Sequence, residues 1–412
     1  MKTRSSNRRD FLKSGAGVGG ALLVGADSGN AAPNPQSAQP DAAQPAPDDP
    51  TKVPGVPARP YGERSRFERI LRTPSPQGTS SGTPLQDLTG IITPSSLHFE
   101  RHHAGVPDID PRRHRLLIHG MVDRPLILTM DELKRFPSVS RIYFMECSGN
   151  GYRRKGGRTV QEAHGLVSCA EWTGVALSLL LSEAGVQQGA GWIVAEGSDA
   201  AKMTRSIPLT KAMNDVLVAY GQNGEALRPE QGYPVRLFVP GWEGNICVKW
   251  LRRIKVVDQP YMTREETSKY TDLMPDGKAR QFTFEMDPKS LITFPSGGQK
   301  LPGPGFYEIS GLAWSGRGAI RRVEVSVDGG RIWQDARLQS PVLPIAFTRF
   351  RFGWKWDGAE VVLQSRCTDE HGDVQPVLED LVRARGENWG YHFNPIQGWK
   401  VSADGSVQNA LA

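Results

Sequence analysis

The sequence predicts an α+β protein, a mixed-sheet domain followed by a β-sandwich. Three observations carry this. The 412 residues include 45 glycines and 31 prolines, nearly a fifth of the chain, which favours turns and short strands over long helices. From Leu85 to about Asp258, strand-like and short helical patterns alternate without a regular βαβ rhythm. From about residue 280 the pattern changes to short strands separated by turns, as in a sandwich of about 100 residues.

The elements follow in chain order. Residues 7–13, Asn-Arg-Arg-Asp-Phe-Leu-Lys, precede a short, Gly-rich, weakly apolar run at 14–26. Adjacent Arg8 and Arg9 give residues 1–32 the form of a twin-arginine signal, cleaved near Ala31 or Ala32. That route exports folded proteins, so it predicts a periplasmic protein and favours one that carries a cofactor. Residues 33–84 begin with six prolines in eighteen residues and read as an extended linker, with one short helix expected around Glu63–Leu71.

Arg115–Ile118 and Ile142–Met145 read as strands. Thr129 and Glu132 form a capping box that opens a helix stopping at Pro137. Leu177–Ala184 is an apolar helix ended by Gly185. Val216–Tyr220 and Val235–Val239 read as strands with an Asn223-Gly224 turn between them. Beyond a polar boundary at 260–285, Phe306–Trp314 is a strand. Val323–Val327 and Ile332–Leu338 form a hairpin around Asp328-Gly329-Gly330, and the rhythm continues through Val361–Cys367, a turn at Glu370–Asp373, and Val377. Trp314, Trp333, Trp354, Trp356, Trp389 and Trp399 suggest an interface on this half.

Several function classes are excluded. The net charge is +6, of which residues 1–32 supply +3, too little to argue for nucleic acid. No run of 18 apolar residues exists, so no membrane span is expected. The four cysteines, Cys147, Cys169, Cys247 and Cys367, form no C-x-x-C pair and no C-x-x-C-H motif, against zinc ribbons and attached c-type haem.

Three segments carry chemistry. In Met145–Arg158 a strand delivers Cys147 into a Ser-Gly-Asn-Gly turn, followed by Arg153, Arg154, Lys155 and Arg158. Nearby cations favour a thiolate, so Cys147 suits a nucleophile or a soft-metal ligand, and the arginines suit an oxyanion. In Ser96–His103, Arg101 sits beside His98, His102 and His103. Adjacent His102 and His103 point apart in an extended chain, which fits donation to phosphate or to a heterocycle better than one shared metal. In Gly232–Trp250, Arg236 and Lys249 flank a glycine-bearing bend able to cradle a phosphate. On spacing alone a buried cysteine, surface histidines and a structural hairpin remain open.

Together these segments resemble the sulfite oxidase family of molybdopterin enzymes, and within it the molybdenum subunits of the periplasmic sulfane dehydrogenases of Sox sulfur oxidation. The resemblance covers about residues 85–402. It implies a molybdopterin-binding catalytic domain at 85–275 and an immunoglobulin-like dimerisation domain at 280–402. It implies one molybdenum–molybdopterin per chain, with Cys147 as the metal ligand and Arg101, His102, His103, Asp199, Arg236, Cys247, Val248 and Lys249 as cofactor contacts. Arg101, Cys147, Arg153 and Tyr270 are the implied catalytic residues. Two positions depart from ordinary sulfite oxidases: Gln231 replaces a histidine and His102 an asparagine.

The implied reaction is oxidation of sulfane sulfur bound to a carrier-protein cysteine, with sulfite oxidation as the alternative. Residues 33–84 are too short and Pro-rich for a haem-b domain, so no haem is expected in this chain. Electrons then leave to a c-type cytochrome subunit, in a homodimer or heterotetramer. Two readings from other classes are an exported cysteine-nucleophile enzyme using His98 or His164 as base, and a non-catalytic adhesion module.

Overall fold

The computed structural model describes residues 52, 54–151, 156–387 and 389–410. The twin-arginine signal expected at residues 1–32 and the segment holding Arg153 lie outside these. Residues 66–412 form one compact unit, separate from residues 1–65. The short helix expected at 63–71 does not form; a turn at Arg66–Phe67 takes its place. Phe67 and Leu71 are largely exposed. A helix this short needs a buried apolar face, and this segment buries none.

The first half contains two five-stranded sheets. In one, Val167–Ala176 lies between Ser138–Glu146 and Leu217–Gln222, all antiparallel, with Glu225–Ala226 at the edge. Arg236–Phe238 pairs with Leu217–Gln222 as well. The Asn223-Gly224 turn, with both residues at positive φ, therefore joins Leu217–Gln222 to Glu225–Ala226 and not to the strand around Arg236. In the other sheet Leu251–Val257 runs parallel to Leu116–Gly120 and antiparallel to Trp192–Gly197. One parallel pair among antiparallel ones makes the sheet mixed, as expected.

Helices are few and short. The capping box at Thr129 and Glu132 is formed and opens Met130–Leu133. Leu177–Ala184 buries Leu177, Leu180, Leu181 and Ala184 and ends at Gly185 with φ 70°. A glycine meets that left-handed φ without strain. The core between the sheets is built around Trp172, Phe238, Ile254 and Leu180. Each such fully buried side chain contributes roughly 1.5–3 kcal/mol.

The second half is a sandwich of two antiparallel sheets. One orders Lys289–Phe294, Gly305–Trp314, Thr348–Trp356 and Arg337–Gln339; the other is centred on Val361–Asp369 between Ile320–Ser326 and Gly398–Val401. The hairpin at Asp328–Gly330 forms, but its return strand is split. Gln334–Asp335 pairs with Ile320–Ser326, whereas Arg337–Gln339 crosses to the opposite sheet and pairs with Thr348–Trp356. Val377 is not in a strand and caps an unpredicted helix, Leu378–Arg385.

Trp314, Trp354, Trp356, Trp389 and Trp399 are buried. These five fill the interior, whereas Trp333 is half-buried with the Arg366 guanidinium 4.4 Å from its ring. The sandwich core also takes in Leu85, Phe144, Val160, Val167 and Cys169 from the first half. The two halves thus share apolar packing behind the strand that leads to Cys147. Among the described residues no helix is long and apolar enough to cross a membrane.

Candidate active site

Strand Ser138–Glu146 begins exposed and ends buried, so it carries the chain from the surface inward and releases Cys147 at the wall of a cavity. The turn after it is pinned by backbone hydrogen bonds. Cys147 N donates to Leu166 O at 3.0 Å, and Asn150 N donates to Cys147 O at 2.8 Å. About 650 Å³ of space not filled by protein atoms lies here, open solvent at the mouth included.

All three sequence segments converge here. Arg101, His102 and His103 line one side, Arg236, Cys247, Val248 and Lys249 another, with Cys147, Asp199 and Tyr270 between them. Every expected site residue among the described ones is brought together. Gln231, where a departure from the family pattern was noted, also lines the cavity. Its amide donates to Phe99 O at 2.8 Å.

The cations are held in place by backbone oxygens. Lys249 Nζ donates to Arg101 O at 3.0 Å and Glu230 O at 2.9 Å. Burial, then repulsion from Arg236, pushes the Lys249 ammonium down to about 7 although part of the residue's surface is open. Arg236 is fully buried and donates to Gln231 O at 3.0 Å and Cys247 O at 2.9 Å; burial lowers it to about 10. The Cys247 sulfur is turned to the backbone, accepting from Val239 N at 3.3 Å. Cys247 therefore faces the cavity with its thiol already occupied.

Cys147 is different. Burial raises its thiol, and the Gly149 N–H and Arg101 only partly offset this. Arg153, Arg154 and Lys155, three of the cations expected to favour a thiolate, lie outside the described residues. A bound metal cation would deprotonate the sulfur directly.

Tyr270 sits at positive φ, and its hydroxyl lies 3.1 Å from His103 Nε2. Burial pushes the phenol up, and His103 is lowered to about 4, also by burial first. Beneath the tyrosine ring, 5.0 Å away, lies the Arg205 guanidinium. Arg205 is buried and pairs with Glu266 at 3.1 Å and Glu243 at 3.4 Å. Although burial opposes its charge, Glu243 is held below the usual carboxylate range by His392, 2.8 Å away, and by Arg205. His392 N also donates to Ser148 O at 2.8 Å, so a segment of the second half closes on the turn after Cys147. None of Arg205, Glu243, Glu266 or His392 was singled out from sequence. They lie far apart in the chain, and only the fold makes them neighbours.

The cavity lining suits a molybdenum–molybdopterin group. No cluster of three or more His, Cys, Asp or Glu able to hold a metal occurs among the described residues. A metal at Cys147 would thus need its remaining ligands from an organic group. Three cavity-lining side chains carry buried polar atoms without partners: His102 Nδ1, Arg236 Nε and Asn245 Oδ1. Donors and an acceptor of this kind match the edge of a heterocycle. Soft sulfur, cationic side chains and orphaned polar atoms together fit the group. His98 and His164 are fully buried and absent from the cavity lining, which removes them as bases for a nucleophilic Cys147.

Known proteins bear this out at the level of family. Residues 103–265 match the oxidoreductase molybdopterin binding domain, and residues 280–396 the Mo-co oxidoreductase dimerisation domain. The chain is 32% identical to sulfite oxidase of Gallus gallus over 384 residues, covering 84% of this chain and 79% of that one. It is 34% identical to the NADH nitrate reductase of Solanum lycopersicum over 357 residues, covering 74% of this chain but only 39% of the reductase. The crystal structure of the sulfane dehydrogenase SoxCD from Paracoccus pantotrophus superposes with a TM-score of 0.84 at 48% identity, covering 87% of this chain and 95% of that one. The chain belongs to the sulfite oxidase family of molybdopterin oxidoreductases.

Proposed function

We propose that this enzyme oxidises sulfane sulfur held on the cysteine of a carrier protein and passes the electrons to a c-type cytochrome subunit. The observation that carries the substrate class is the 48% identity, over 87% of the chain, to a sulfane dehydrogenase. Sulfite is the second reading, favoured by the 32% identity to a sulfite oxidase. Arg8 and Arg9 support export to the periplasm, where such a carrier and cytochrome would be met.

In this reading the bound molybdenum–molybdopterin supplies oxygen-atom transfer and a two-electron redox change. Cys147 is its protein ligand. Arg236 and Lys249, with His102, His103 and Asp199, hold the pterin and its phosphate; Cys247 contributes through the carbonyl that fixes Arg236. Val248 shapes the same wall. Arg101, and Arg153 from the sequence segment that follows Cys147, stabilise negative charge that develops on the oxidised sulfur. Tyr270 donates its phenolic proton in a hydrogen bond to substrate or water, and Arg205 beneath the ring keeps it in place. The second half of the chain is read as the dimer-forming part, from its match to the dimerisation domain.

The test is an assay of the molybdenum-loaded enzyme with sulfite and with a sulfane-loaded carrier protein, read as cytochrome c reduction. Faster turnover of the carrier supports the proposal. Preference for sulfite moves the enzyme to the second reading, and no turnover of either overturns both.

A further inference from the structure

The residue before Cys147 is a glutamate with almost no exposure. Glu146 Oε1 accepts from Lys289 Nζ and from Asn150 Nδ2, each at 2.9 Å. Its Oε2 accepts from the Trp314 indole N–H at 2.7 Å. Lys289 and Trp314 both belong to the dimerisation domain, where they are cross-strand partners on Lys289–Phe294 and Gly305–Trp314. Glu146 and Lys289 are each 1% exposed. The Glu146 backbone is held too, its carbonyl accepting from Gly244 N at 2.7 Å. Asn150, the third side-chain donor, has its Oδ1 on Leu166 N at 3.1 Å, beside the carbonyl that receives Cys147 N.

A buried ion pair is a costly way to join two domains, because an apolar contact would do so at least as well. What an apolar contact would not do is fix one backbone position in direction as well as depth. Two donors from a rigid strand pair set both oxygens of Glu146, and the next Cα is that of Cys147. Outer contacts of this kind orient metal ligands. We propose that Glu146, Lys289 and Trp314 are positioning residues for the Cys147 sulfur, so that the dimerisation domain forms part of the support of the molybdenum ligand. This rests on the reading of Cys147 as that ligand.

The full-length, cofactor-loaded chain tests it with two variants. The double variant Glu146→Gln with Lys289→Met keeps the pocket neutral while removing the ion pair. Trp314→Phe keeps the ion pair and removes one donor. Measured quantities are molybdenum content, kcat and KM for the sulfur substrate, and the g-values of the one-electron-reduced molybdenum in electron paramagnetic resonance. The expected result for the double variant is near-normal molybdenum content, displaced g-values, and kcat lower by about 10- to 100-fold at unchanged KM. Trp314→Phe shifts the same readouts in the same direction by less, and it decides the matter alone if the double variant does not accumulate. Normal g-values and normal kcat per bound molybdenum in either variant overturn the proposal, whatever happens to melting temperature. Cys147→Ser, run alongside, separates the two ideas: retained turnover there would sink the ligand assignment itself.

Discussion

The hydroxyl of Tyr270 and Nε2 of His103 meet at 3.1 Å across the mouth of the cavity, joining the first cofactor-facing segment to a residue 167 positions later. His103 is kept neutral near physiological pH by burial. A neutral imidazole with its proton on Nε2 can donate to the tyrosine oxygen and leave the phenolic proton for substrate or water. Tyr270→Phe should therefore lower kcat/KM by on the order of 100-fold, the usual effect of losing one preorganised donor. Its melting temperature should stay close to wild type, because the ring still lies over Arg205. Steady-state kinetics with a melting curve checks both.

Cys147→Ser replaces a soft ligand by a hard, poorly ionised one. Turnover should fall by orders of magnitude while pterin still binds through Arg236, Lys249 and Asp199. Serine at Cys169 or Cys367, buried away from the cavity, should cost stability and little activity. Serine at Cys247 can still accept from Val239 N, so it too should remain active. Molybdenum content and turnover of all four variants give the answer.

Gly244 approaches the Cys147 turn so closely that a β-carbon there would lie 2.8 Å from Glu146 O. Gly244→Ala should displace the Gly244–Asn245 loop and break the bond from Gly244 N to Glu146 O. The expected cost is about 1–3 kcal/mol, as in other overpacked sites. A lower denaturation midpoint together with reduced molybdenum content is the predicted outcome.

Arg205→Met would leave Glu243 and Glu266 buried without their shared cation. Removing one partner from such a network costs roughly 3–5 kcal/mol. Urea unfolding should show this loss, and Glu266, already pushed up by burial, should take up a proton to relieve it.

His98 and His164 are pushed by burial from 6.5 down to about 3. Between these values the unfolded chain binds protons that the folded protein does not, so stability rises with pH across that window and is lost on acidification below about 6.5. His164→Gln removes one of these titrating groups. Its plot of unfolding free energy against pH from 4 to about 7 should be shallower than that of the unchanged protein.

Local features were legible in the sequence where their cause is local. Gly185 ends its helix because a left-handed residue must, and the Thr129–Glu132 box needs only residues three apart. The converging cofactor segments were legible through family resemblance, since their spacing alone left bland readings open. Pairing over long distances was not. Nothing near Asp335 shows that its strand will change sheets two residues later. Tryptophan content says that large rings must be covered; it does not say whether the cover is the chain itself or a neighbour. The charges of Arg205, Glu243 and Glu266 read as ordinary surface residues until the fold buries them.

The bonds from His392 to Glu243 and to Ser148 have a consequence for biosynthesis. His392 follows Glu243 by 149 residues, so Glu243 and the turn after Cys147 receive these partners only once most of the second half has been synthesised. A chain that stops short of His392 lacks both bonds.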